Sequence, residues 1–331
     1  MHKLPRLSVP TIDLWTLAVI TVLIAFAPSA QAQVAAWKPD RLVTIVVPYA
    51  PGGSVDAMAR AVGRALTSRT GQPVIVENQP GADGLIGSRR VVDSKPDGST
   101  LLFQIPAFAL TKHMPGLKGI DPLSQLAPIT SFAETPALLV SSAKIPATTL
   151  QSFMQHCRTA MEPCSMGTAE ATGRLRARQI AAELAIPNLI SVNYRGTGPI
   201  MSDLISGVVS MSQMNLPAVQ QHYRNGTVRI LAVQDSRRSP LLPEVPTAAE
   251  AGFPQFKTTT WYGLFAPKGT PSPVLDGIAK AFQEIRNDPD LQRTIASAGA
   301  VAVFNSPAEF NKQVKQEEVM WGQLVKLYPL D

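Results

Sequence analysis

The sequence predicts an α/β protein built as two lobes, each on a doubly wound sheet, joined by a hinge. Three observations carry this. Strand-like apolar runs alternate with helical segments from residue 42 to the C-terminal end, the pattern of sheets with helices on their faces. The first run, Leu42-Val43-Thr44-Ile45-Val46-Val47-Pro48-Tyr49, is almost continuously apolar, as a strand covered on both faces requires. The 331 residues exceed one ordinary core and suit two units of roughly 100–150 residues each.

The first strand leads through the turn Ala50-Pro51-Gly52-Gly53-Ser54 into a helix. That helix places Met58, Ala61, Val62 and Leu66 on one side, and Gly71-Gln72-Pro73 ends it. Val74–Glu77 reads as a strand, Leu85–Val92 as a short helix and Thr100–Phe103 as a third strand after the Asp97-Gly98 turn. A second unit begins with strand Ala137–Val140 and helix Leu150–Cys157, then a strand end and turn at Ser165–Thr168. Helix Arg174–Leu184, strand Leu189–Tyr194, helix Ile200–Ser206, strand Val208–Met214, helix Ala218–Arg224 and strand Val228–Val233 complete it. The chain then returns to long segments: strand Thr260–Ala266 and helices Pro271–Ile285, Pro289–Ala298 and Pro307–Leu327.

Hydrophobic residues form 45% of the chain and charged residues 16%, which excludes a disordered protein. The N-terminus reads as a secretory signal: basic Lys3 and Arg6, an apolar run from Leu14 to Phe26, and the small residues Ala30 and Ala32. The run falls short of the ~20 residues of a membrane span, so cleavage near Ala32 is expected, and no later run is long and apolar enough to cross a bilayer. The remaining 28 basic and 23 acidic residues leave a net charge of +5. The one dense basic stretch, Arg174, Arg176 and Arg178, has no interleaved aromatics. It reads as a solvated helix face, and no nucleic-acid partner is expected. Cys157 and Cys164, in an oxidising compartment, read either as a disulfide worth about 2.5 kcal/mol or as two reduced thiols. No metal, cofactor or enzyme is expected. The mature histidines, His113, His156 and His222, lack metal-ligand spacing, and neither a phosphate loop nor a Gly-x-Ser-x-Gly elbow occurs. A hydrolase using Ser54 with Asp56 and a distant histidine is the remaining catalytic alternative.

Ordered segments along the chain resemble a known family. They include Trp37-Lys38-Pro39-Asp40-Arg41, Val43 to Asp56, Gly71 to Ala82, Lys95 to Leu102, Asn193 to Pro199, Leu242 to Thr247 and Trp261 to Pro271. Together they resemble the Bug family, the periplasmic solute-binding components of tripartite tricarboxylate transporters. The resemblance implies a two-lobe Venus-flytrap fold of the type II periplasmic-binding-protein class. Residues 37–137 plus 258–331 would form lobe one and residues 138–257 lobe two, with residues 1–32 the signal peptide. It further implies a periplasmic monomer that delivers a small carboxylate to the permease subunits of such a transporter, or presents it to a sensor kinase ectodomain. One segment departs from the family: Gly167 to Arg178 lacks the usual His-Leu and places Glu170 where small residues are usual, which implies altered contacts in lobe two.

The turn at Tyr49, Pro51, Gly52, Gly53 and Ser54 joins a strand to a helix N-terminus, where backbone N–H groups and the helix dipole favour a carboxylate. Asp56 either complements that dipole or orients a ligand group. In lobe two the turns at Thr168 and Ala169 and at Arg195 and Gly196 follow strands and should face the cleft. Arg195 pairs with the ligand or lies at the cleft mouth, and Tyr194 lines the cleft or packs. Ala107 and Phe108 follow the third strand and line the pocket, unless Phe108 belongs to the core. Asn215, at a strand end, can reach the ligand. Trp261, Tyr262, Trp37 and Trp321 read as packing residues.

Overall fold

The computed structural model describes residues 37, 39, 41–113, 121–194 and 197–329. The expected signal peptide, Arg195 and Gly196 lie outside the described residues. Strand β1 (Val43–Val47) buries Val43, Ile45, Val46 and Val47 completely, as its unbroken apolar sequence requires. It pairs in parallel with β2 (Val74–Asn78) and β3 (Thr100–Gln104). Between β1 and β2 runs helix α1 (Ser54–Thr70), with Met58, Ala61, Val62 and Leu66 against the sheet. Gly71 closes α1 at φ 75°, donating its N–H to Thr67 O at 2.9 Å; that left-handed cap favours glycine. Helices α2 (Leu85–Val92), α3 (Ala107–Leu110) and α4 (Pro122–Gln125) follow.

The sheet is completed by strands that break the purely parallel pattern. β4 (Leu126–Pro136) was not foreseen from the sequence. After it the chain leaves for a second sheet, made of β5 (Leu138–Ser142), β6 (Ser165–Ala169), β7 (Ile190–Tyr194), β8 (Met211–Met214) and β9 (Val228–Val233). It returns as β10 (Thr259–Pro267), which runs antiparallel to both β3 and β4, and short β11 (Val301–Ala302) pairs with β4. The first sheet thus has the order β11-β4-β10-β3-β1-β2 and the second β7-β6-β8-β5-β9. In the second, β6 is parallel to β7 and β8, while β5 is antiparallel to β8 and β9. Both sheets are therefore mixed: β10 and β5, the strands next to the passages between sheets, run against their parallel neighbours.

The second sheet carries α5 (Leu150–Thr159), α6 (Glu170–Glu183), α7 (Thr197–Ser206) and α8 (Leu216–Arg224). Helix α6 starts four residues before the expected Arg174. Cys157 in α5 and Cys164 before β6 form a disulfide. The final helices are α9 (Ser272–Glu284), α10 (Pro289–Ser297) and α11 (Pro307–Leu327). Ser306 and Glu309 cap α11 reciprocally, with Pro307 at its first position, a sequence-local start signal. The two passages between sheets meet in a triangle of backbone hydrogen bonds. Gln234 N donates to Ala137 O (2.8 Å), Ala137 N to Thr258 O (3.0 Å) and Thr258 N to Gln234 O (2.8 Å).

Candidate functional site: an interlobe cleft

A cleft of about 1190 Å³ is lined by elements of both sheets. On the first side, β1 delivers the chain to Tyr49, whose hydroxyl donates to Gln104 Oε1 at 2.9 Å and whose carbonyl accepts from Asn78 Nδ2 at 3.1 Å. Gly53 is the N-cap of α1 and has no side chain to cap the helix. The first N–H groups of a helix lack intrahelical partners, so those of α1 stand beside the cleft-lining residues Gly53, Ser54 and Val55. Ser54 also engages the Tyr262 hydroxyl, whose pKa burial raises against the opposing effect of that hydrogen bond.

Asp56 is the acidic residue in the first turn of α1, where its charge complements the helix dipole. It is 5% exposed and accepts from Gly52 N, Asn78 Nδ2 and Arg60 Nε, each at 3.0 Å. Burial alone would raise its pKa, but Arg60, the Gly52 N–H and Asn78 outweigh it and hold the carboxyl below its ordinary value. Asp56 is therefore a brace beneath the turn. Gly52, at φ 90°, adopts the left-handed conformation that hands its N–H to Asp56. Pro51 and Gly52 are exposed and are absent from the cleft wall, whereas Ala107 lines it. Phe108 does not line it: at 2% exposure it packs edge-on against Trp261 and Phe265, because the short helix α3 turns it inward.

On the second side Thr168, the penultimate residue of β6, lies in the cleft wall, its Oγ1 donating to Val192 O at 3.3 Å. Ala169 is the last residue of β6. Asn215 lines the cleft as the N-cap of α8. Tyr194 does not line it. Its hydroxyl donates to Asp203 Oδ2 at 2.5 Å and its ring packs against the Ile200 and Leu204 core; burial and Asp203 push its pKa up to about 12. The expected roles of Arg195 and Gly196 fall outside the described residues.

Sequence reasoning missed part of the wall. Arg176, expected on a solvated face, is only 4% exposed and lines the cleft. Its guanidinium lies 4.7 Å over the Trp321 ring and Nη1 donates to Gln179 Oε1 at 2.7 Å. Burial lowers its pKa to about 10, opposed by Glu317 and Glu183. Glu317 and Glu134 line the same cleft. Burial pushes Glu317 up to about 8, with Trp261 and Arg176 opposing and Glu134 adding to the rise. The available signal was that Arg176 sits between Leu175 and Ala177 and four residues before Ile180, all now buried.

No group of His, Cys, Asp and Glu able to hold a metal occurs among the described residues. No helix among them is long and apolar enough to cross a membrane. Among the described residues no histidine lines the cleft.

Residues 58–330 match the profile of the family described as tripartite tricarboxylate transporter family receptor. Protein BugT of Bordetella pertussis is 33% identical over 319 residues, covering 94% of this chain and 96% of BugT. Among solved structures, MatC from Rhodopseudomonas palustris with bound malate is 29% identical at a TM-score of 0.71, covering 87% of this chain and 99% of that one. Another R. palustris protein, with adipate, is 28% identical at a TM-score of 0.74, covering 87% and 97%. The solved structure of periplasmic binding protein BugD is 29% identical at a TM-score of 0.73, covering 88% of this chain and 99% of that one, and this chain shares the two-lobe fold of such proteins.

Proposed function

The chain belongs to the tripartite tricarboxylate transporter receptor family, and on that premise we propose that it captures a small carboxylated solute in its cleft for the permease of such a transporter. The first α1 turn receives the carboxylate on the N–H groups at Gly53 and Ser54. Tyr49, Ala107, Thr168 and Asn215 surround the solute, while Asp56 holds the turn rigid. Residues 37–137 with 258–331 form one lobe and residues 138–257 the other, and the triangle of Ala137, Gln234 and Thr258 is the hinge between them. A signal peptide directs export and is cleaved near Ala32. The observation that carries the reading is the helix terminus without a side-chain cap in the cleft wall, an arrangement that favours an anion. The malate and adipate in the related structures support the same chemistry.

The test is a thermal-shift screen of the chain from residue 33 against carboxylic acids and their matched amides. A ligand at 100 times its Kd adds about 2.7 kcal/mol, so a cognate acid raises Tm and its amide does not. A shift with neutral solutes and none with any acid overturns the proposal.

A further inference from the structure

The chain passes between the sheets twice, from β4 to β5 and from β9 to β10, so the spacing of the lobes depends on contacts made away from these crossings. Helix α6 makes such a contact. Its residues Ala177 and Ile180 pack into the core of the second sheet. Leu175, with no exposed surface, packs instead with Ala109 and Leu110 of α3 and with Trp321 and Leu324 of α11. Those two helices belong to the first sheet: Phe108 of α3 and Phe310 and Val314 of α11 share a cluster with Val46, Leu102 and Phe265. Beside Leu175, the Arg176 guanidinium reaches α11 as well. It lies 4.7 Å over the Trp321 ring, and Nη2 donates to Met320 Sδ at 3.5 Å. From its own helix, Gln179 Oε1 accepts from Nη1 at 2.7 Å, and Gln179 Nε2 donates to Glu183 at 2.7 Å. The guanidinium is thus aimed at α11 in advance, which lowers the entropy lost in making the contact. Leu175, Ala109, Leu110 and Leu324 do not line the cleft, so this apolar part lies behind the space open to a solute.

We propose that Leu175 and Arg176 on α6 and Trp321 on α11 form a latch that sets the spacing of the two lobes without help from the solute. This rests on the hinge placed at Ala137, Gln234 and Thr258, and not on the chemistry of the solute. When the lobes part, Leu175 is left bare on the outside of α6 and Arg176 leaves the Trp321 face. Exposing such a leucine and losing a desolvated cation–π contact each weigh against parting by a factor of about ten or more. The sheets also meet where Gly299 lies against Leu216 and Pro217 at the start of α8; a Cβ on Gly299 would stand 2.8 Å from Leu216 Cβ. That contact adjoins the hinge, since Thr135, two residues before Ala137, donates from Oγ1 to Gly299 O at 3.1 Å. Release of the solute then requires α6 to leave α11.

Small-angle X-ray scattering of the chain from residue 33 tests this, on protein refolded from urea to strip any bound solute. The wild type should scatter as this structure does. Leu175→Gln and Arg176→Gln, made together, should give a larger radius of gyration. Trp321→Phe, which keeps an aromatic face for Arg176, should scatter as the wild type. A wild type already larger than this structure overturns the proposal. A double variant that scatters as the wild type also overturns it, and leaves the contact at Gly299 holding the lobes. Either result leaves carboxylate capture standing, because the thermal-shift screen reads that separately. Circular-dichroism melts check that each variant folds; Ala177 and Ile180, which pack α6 on its own sheet, are untouched. Should the double variant not fold, Leu175→Ala, which shortens the side chain without adding polarity, decides by the same comparison.

Discussion

Replacing Glu317 by Gln tests the cleft wall without any ligand. The carboxyl's ordinary pKa of 4.5 rises to about 8 in the folded protein, mainly through burial. The folded state therefore holds a proton that the unfolded chain releases. The stability associated with that proton is complete below pH 4.5, falls as pH rises toward about 8 and is constant above it. At about 1.4 kcal/mol per pKa unit, the full loss has an upper limit of about 5 kcal/mol, most of it between pH 5 and 8. Glu317 as a residue is only partly buried; allowing for solvent screening leaves about 2–3 kcal/mol. Gln keeps the shape and cannot ionise. Urea unfolding of ligand-free wild type and Glu317→Gln, extrapolated linearly to water, supplies both stabilities. The variant's advantage should grow by about 2–3 kcal/mol from pH 5 to pH 8. An advantage equal at the two pH values would refute the argument that Glu317 is buried as a neutral acid.

Three further outcomes are expected. Asp56→Ala removes the acceptor of Gly52, Asn78 and Arg60, and should cost about 1–3 kcal/mol in urea unfolding. Because the folded pKa of Asp56 is depressed below 3.8, its contribution is present above that value and lost as pH falls through the folded pKa. Acid titration should show that loss in the wild type and not in the variant. Gly53→Val places its side chain where no atom lies within 4 Å, at φ −81°; Tm should stay within a few degrees while calorimetry shows acid binding abolished. Removing the Cys157–Cys164 disulfide by a double Ser substitution should cost about 2–3 kcal/mol, read by urea unfolding, with binding retained.

The parts of the fold legible in the sequence are those whose causes lie within a few residues. Continuous apolar residues defined β1, Gly71 ended α1, and Ser306-Pro307 with Glu309 opened α11, whose bounds at Pro307 and Leu327 match. The strand-to-helix turn at Gly53 and Ser54 could be placed for the same reason. β4 was not legible. Pro128, Glu134 and Pro136 spoil its strand pattern, and it is held by pairing with β10, far along the chain.

By itself, then, the sequence determined an α/β chain of two sheets, the anion-favouring helix terminus and the cysteine pair, since hydrophobic period, capping and short-range spacing are local. Tertiary structure alone decided that Phe108 and Tyr194 turn away from the cleft and that Asp56 braces its turn. It also decided that Arg176 is a buried cation beside Glu317. Arg176 and Met320 are 144 residues apart in sequence. The energy of a charge depends on the water excluded around it, and that exclusion is done by α11, Trp321 included, arriving from the other end of the chain.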